Sequence, residues 1–199
     1  MQIENNKEEV PFSYYENLFR GADPKEIAGR LPCTAWDGKC FSVTLMGISY
    51  TISHPEVEIL PSGGPLPIQT FLLRYLLEGK DLPFLGNWKT FREMPWGELY
   101  IKPYTGRVLT RAAFTFGTRV DSFRKAAEKM GATPVPQGDA GYEFFLIGDY
   151  RIRLLVWAGD EEFPPSAQVL YSDNFEEGFA PEDRVVAGDI LISTIKANM

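Results

Sequence analysis

Histidine occurs once in this chain, at His54, and cysteine twice, at Cys33 and Cys40. A Ser/His/Asp triad would have to use His54, and no Gly-x-Ser-x-Gly elbow accompanies it, because Ser62-Gly63-Gly64 lacks the pattern. An imidazole titrates near neutrality and is the obvious general base, but a loop histidine before Pro55 is most often polar surface, and that is the expectation here. Two thiols and one imidazole could supply three zinc ligands. The chain has no second cysteine pair, however, and the interval between the two cysteines is wider than in a zinc knuckle. No metal site is expected, and the cysteines read as small packing residues or a surface thiol.

Basic charge is also scarce. Lys and Arg number 20 against 27 Asp and Glu, for a net charge of -7 and a pI near 4.9. Nucleic-acid binding needs a basic footprint, and anionic membranes attract basic segments, so neither partner is expected. No apolar run has the length of a membrane-spanning helix, and the polar MQIENNKEEV start lacks the order of a secretory signal. A soluble, acidic, cytoplasmic protein with reduced thiols is the expectation. The Pro61-Ser62-Gly63-Gly64-Pro65 loop is not followed by Gly-Lys-Ser/Thr, so it reads as a connection and not a phosphate cradle. Whether a cofactor is bound is left open.

What is present is an ordinary globular composition, 44% hydrophobic and 24% charged, with aromatics at 14% favouring a dense core. Residues 1–11 read as a flexible tail and 13–20 as a short helix. Asp23-Pro24-Lys25-Glu26 has the cap, the proline and the acid of a helix start, and Pro32 ends that helix. Residues 41–45 and 48–53 alternate as strands, with a weaker third at 57–60. Ile68, Phe71, Leu72, Tyr75 and Leu76 form a helical stripe ended by Gly79. Residues 88–94 read as extended, while 99–104 and 108–116 are ambiguous between strand and helix. Thr118 and Asp121 suit a capping box before a helix closed by Gly131, and 133–140 reads as a loop. Residues 168–171 form a strand. Pro181 opens a last helix with Glu182 and Asp183 at its positive end and Lys196 at its negative end.

The densest β signal is Tyr142–Ile147 and Tyr150–Trp157, separated only by Gly148-Asp149, a two-residue loop that closes a tight hairpin. A regular register pairs Ile147 with Tyr150, Phe145 with Ile152 and Phe144 with Arg153. Alternation then puts Phe145, Ile147, Tyr150, Ile152, Leu154 and Val156 on a core face, with Glu143 near its end. The other face carries Tyr142, Phe144, Leu146, Leu155 and Trp157, interrupted by Arg151 and Arg153. Guanidinium groups among aromatic rings suit stacking and anion binding. The same arginines could instead pair with Asp160, Glu161 or Glu162 in the acidic turn that follows. That turn lacks the alternating ligands of an EF-hand.

Strands come in groups, so the expected fold is α+β, predominantly antiparallel sheet, with a central hairpin at about 142–157 and packed helices at about 68–78, 121–130 and 182–196. The one candidate seam, 61–67, is too short to argue for two independent domains, so a single domain over 1–199 is expected.

Trp88-x-x-Phe91-x-Glu93-x-Pro95-x-Gly97, Gly138-Asp139, and Trp157-x-Gly159-Asp160-Glu161-Glu162-Phe163-Pro164 occur in that order, followed by a strand ending in Asp173 and a final helix with an acidic start. This pattern resembles a bacterial and archaeal family catalogued only as a domain of unknown function, number 3786. The resemblance covers most of the chain and brings no catalytic residue with it. Relatives of that kind resemble proteins of anaerobes, and some join the domain to an iron–sulfur segment whose cysteine cluster is missing here.

The ligand-binding candidates are Arg151, Arg153, Trp157, Asp160, Glu161, Glu162, Asp139 and Glu93. The leading reading is a non-catalytic or accessory domain that binds a small anionic ligand or a protein partner. The alternatives are a hydrolase- or lyase-like enzyme that uses paired carboxylates, and a structural subunit. An enzyme should bring two of the carboxylates into one pocket.

Overall fold

The computed structural model describes residues 9–199. The chain divides into two compact units, Met1–Asp81 and Leu82–Met199. The expected tail therefore lies mostly outside the described residues, but its last three positions are helical, because α1 spans Glu9–Gly21.

In the first unit, α2 (Pro24–Arg30) starts at Asp23, whose carboxylate accepts the Lys25 amide at 2.8 Å. β1 (Ala35–Trp36), β2 (Cys40–Leu45), β3 (Ile48–Ser53) and β4 (Ile59–Leu60) pair antiparallel in sequence order. In β2, Phe41, Val43 and Leu45 are buried and Ser42 and Thr44 exposed, as alternation requires. α3 (Leu66–Glu78) buries Phe71, Leu72, Leu73, Tyr75 and Leu76 and packs on α1. Its carbonyl end is closed by Arg30, which donates to Leu76 O at 2.7 Å, to Leu77 O at 2.9 Å and to Gly79 O. A cation at that end also suits the helix dipole.

The second unit opens with β5 (Trp88–Thr90) and a 3-10 turn over Phe91–Glu93, which replaces the longer extended segment expected. Glu93 Oε2 accepts both the amide and the hydroxyl of Thr90 at 2.7 Å, and this cap stops the strand. α4 (Gly97–Tyr104), a π-helical segment over Thr105–Thr110 and α5 (Arg111–Phe116) follow one another directly. Both ambiguous stretches are thus helical, and Pro103 removes one ladder bond just before the π segment. α6 (Val120–Lys129) starts at Arg119 without the expected capping box, because the Thr118 hydroxyl donates back to Phe114 O. β6 (Thr133–Val135) lies where a loop was expected. β7 (Ala140–Ile147), β8 (Tyr150–Trp157), β9 (Ser166–Ser172), α7 (Phe175–Gly178) and α8 (Pro181–Ala197) complete the unit.

Strands β7, β8, β9 and β5 lie side by side, all antiparallel, with β6 also pairing β7. The α+β class, the central hairpin and the three packed helices are as expected. α5 and α6 cover one face of this sheet and α8 packs against both helices. That face buries Tyr142, Phe144, Tyr150, Ile152, Leu154, Val156, Val169 and Tyr171. Each such side chain contributes about 1.5–3 kcal/mol before entropy is counted. Arg184 of α8 is also buried; its charge is held by the carbonyls of Phe175, Pro95 and Glu176. No helix among the described residues is long and apolar enough to cross a membrane.

Candidate functional site

The hairpin reverses at Gly148-Asp149, where Gly148 has φ 53°. Its register departs from the regular one beyond the first pair. Ile147 faces Tyr150, but Phe145 faces Arg151, Phe144 faces Ile152 and Glu143 faces Arg153. Leu146 is the extra residue of a β-bulge and is buried. One extra residue reverses the parity of the strand beyond it. The outer face therefore carries Glu143 and Phe145 beside Arg151 and Arg153, while Tyr142 and Phe144 turn inward. Phe145, expected in the core, is 54% exposed.

This parity brings both arginines to Glu143. Arg151 Nη1 meets Glu143 Oε1 at 3.3 Å, and Arg153 donates from Nε at 3.1 Å and from Nη2 at 3.0 Å to Oε2. Arg151 also grips Asp149 Oδ1 at 2.9 Å through Nη2. The partners of the arginines are thus Glu143 and Asp149, and no pair with Asp160, Glu161 or Glu162 occurs among the described residues. Partial burial opposes the charge on Arg151, but Asp149 and Glu143 outweigh it and raise its pKa. Partial burial would likewise raise the Asp149 carboxyl, yet the Phe84 amide at 2.9 Å and the Arg151 guanidinium hold it below the usual carboxylate range.

Aromatic rings complete the arrangement. Arg151 lies 4.5 Å from the Phe145 ring centre and 5.0 Å from that of Phe84. Phe84 meets Trp88 edge-on at 5.1 Å, and Arg153 stacks on Trp88 at 3.9 Å. The result is a ladder across the outer face in which Arg151 sits between two rings and Arg153 ends the Phe84–Trp88 ring pair. Glu143, Asp149 and Phe84 are not among the sequence-based candidates, and Trp88 stands out in the sequence as one of four tryptophans that could line an aromatic pocket or the core. The Gly148-Asp149 turn pointed to Asp149. Glu143 becomes visible only once the bulge is known.

The other candidates lie elsewhere. Arg151 and Trp157 are six residues apart on one strand, roughly 20 Å along it. At the Trp157 end, Asp139 Oδ2 accepts the Ala158 amide at 2.8 Å, so Asp139 and the acidic turn are neighbours. Asp160 Oδ1 accepts the amides of Glu162 at 2.8 Å and Phe163 at 2.7 Å. Those two bonds, Phe163's first, lower the Asp160 carboxyl. Glu161 and Glu162 are exposed. Glu93 is held by Thr90, which lowers its carboxyl, on the far side of β9.

A cleft of about 390 Å³ opens beside β5, lined by Leu85, Asn87, Lys89, Asp173, Glu176 and Glu177 among others. Asp173 spans to the 82–87 loop, accepting the amides of Leu85 and Asn87 at 3.1 Å each. Lys89 is ion-paired with Glu176, so this cleft has an acidic balance. None of the five candidate carboxylates lines it. In the first unit, the Cys33 thiol meets the Tyr75 hydroxyl at 3.0 Å, and His54 Nε2 lies 3.1 Å from Phe19 O. Partial burial raises the Cys33 thiol above its usual range, against the pull of Tyr75. Among the described residues no group of three or more His, Cys, Asp and Glu side chains is arranged to hold a metal ion.

No curated protein and no solved structure matches the chain. The family comparison matches residues 23–194, a span that contains the hairpin, the arginine–aromatic ladder and the acidic turn. The chain belongs to the family described as Domain of unknown function (DUF3786).

Proposed function

We propose that this domain is a non-catalytic binding module whose ligand is a protein partner, met by the outer face of the β7–β8 hairpin. The observation that carries this reading is the ladder of Phe145, Arg151, Phe84, Trp88 and Arg153, held rigid by Glu143 and Asp149 while still part-exposed. Arginine and tryptophan are the residues that dominate protein interfaces, and rings with few rotatable bonds lose little entropy on docking. The partner would lay an apolar side chain on Phe145 and Trp88 and direct a carboxylate at Arg153, whose Nη1 is engaged by no described residue. Trp157, Asp139 and the acidic turn Asp160-Glu161-Glu162 lie at the other end of β8, roughly 20 Å away, where the carboxylates would favour a basic rim on a partner large enough to reach them.

A small free anion has less support as the main ligand, since Glu143 and Asp149 already occupy every other guanidinium nitrogen and leave it only Arg153 Nη1, whereas a protein partner can also use the rings. The carboxylate-enzyme reading has less support: Glu93, Asp139 and Asp160 are each bonded to backbone amides, and none of them lines the 390 Å³ cleft. Affinity capture from the native host, comparing wild type with R151M/R153M, tests the proposal. Proteins retained by wild type and lost from the double variant are expected, and identical profiles would contradict it. A melting-temperature screen with citrate and phosphate covers the small-anion reading, for which a binder at a hundred times its Kd would add about 2.7 kcal/mol.

A further inference from the structure

β9 has one covered edge and one half-open edge. It pairs with β8 from Ser166 to Tyr171, but β5 covers its other side only from Leu170 to Ser172. Main-chain groups of an antiparallel strand alternate sides. The Asp173 amide donates to Asn87 O on the β5 side at 3.0 Å. By alternation Tyr171, Val169 and Ala167 direct their N–H and C=O groups to that same side. Beyond Thr90 no described strand lies there to receive those of Val169 and Ala167.

The open stretch borders a groove of about 300 Å³, lined by Thr90, Ile101, Thr105, Leu109, Gln168 and Val169 together with Phe91 and Arg92. Ile101, Thr105 and Leu109 recur at helical spacing, so they present one side of the helix to the groove. The groove exists because β5 is stopped: Glu93 caps Thr90 and turns the chain away into the 3-10 segment.

We propose that this groove accepts an extended peptide segment of a partner protein, added as a strand antiparallel to β9 in continuation of β5. Main-chain bonds to Ala167 and Val169 would supply the pairing. The side chains on one face of the segment, which should be apolar, would fill the space between Val169, Ile101 and Leu109. Side chains of the other parity would face solvent and can be polar. The occupant is a strand and not a helix, because the unsatisfied groups are a row of main-chain donors and acceptors in the plane of the sheet. This site is separate from the arginine–aromatic face.

The test selects a display library of random short peptides on the intact wild-type chain, with counter-selection on Leu109→Lys. Binding is then measured by fluorescence anisotropy to wild type, Ala167→Pro and Leu109→Lys. Proline at 167 removes an edge-directed N–H and leaves the β8 side alone. Each variant should weaken binding about tenfold or more, and N-methylation of the peptide main chain should do the same without touching the protein. Melting profiles check that the variants fold. If the library yields no enriched peptide, or peptides indifferent to both variants and to N-methylation, the proposal is overturned. A concentration-dependent dimer abolished by Ala167→Pro would replace it with pairing to a second copy of this chain.

Discussion

The two faces of the β7–β8 ribbon follow opposite rules. The helix-covered face holds Tyr142, Phe144, Ile152, Leu154 and Val156, all buried and stabilised by area removed from water. The outer face holds Glu143, Phe145, Arg151 and Arg153, and its order comes from directional contacts between charges and rings. Burial tolerates small shifts of position, while a shared carboxylate between two guanidinium groups does not. A surface fixed in that way is pre-organised before anything docks on it.

The largest expected effect comes from breaking the covered face. Leu154→Asp puts a charge where no water reaches and should cost about 4 kcal/mol or more, unfolding the second unit as read by thermal denaturation. Deleting Leu146 sharpens the comparison. The pairs Ile147–Tyr150, Phe145–Arg151 and Phe144–Ile152 would then follow one another regularly, so the register should survive by cross-strand NOEs. The loss of one buried leucine should cost about 2–3 kcal/mol. On the outer face, Glu143→Gln leaves two arginines without their common carboxylate and should cost about 1–3 kcal/mol in urea denaturation. The smallest effect is on acidification. The Asp149 and Asp173 carboxyls are held below the ordinary range, so their contribution is complete above the unfolded-state pKa of about 3.9 and fades as pH falls through the lower folded values. The protection factors of the Phe84, Leu85 and Asn87 amides, taken relative to intrinsic exchange at each pH, should fall there first, and Asp173→Asn should blunt the response.

Much of this architecture is legible in the residues. The Gly148-Asp149 reversal, the α3 stripe and the acidic opening of α8 each follow from a local rule that tertiary contacts do not override. The bulge is not legible, because Phe144, Phe145 and Leu146 are all apolar and either parity satisfies the pattern. That ambiguity is what hid Glu143 as the partner of both arginines. β6 was missed for a related reason: Thr-Pro-Val has no alternation to read, and it is a strand only because β7 is beside it. Glu93 fits the rule that loop carboxylates accept backbone amides at turns and caps, but the choice of Thr90 as its partner depends on β5 ending at Thr90, directly before the 3-10 turn.

The parity of β7 can be measured directly by thiol labelling in a background where Cys33 and Cys40 are replaced by serine. With the bulge at Leu146, a Phe145→Cys variant should label at the rate of an exposed thiol and a Phe144→Cys variant only on unfolding, since the two side chains are 54% and 3% exposed. Fast labelling of Phe144→Cys with protection of Phe145→Cys would mean a regular hairpin. It would take Phe145 out of the ladder, separate Glu143 from the arginines, and contradict the account.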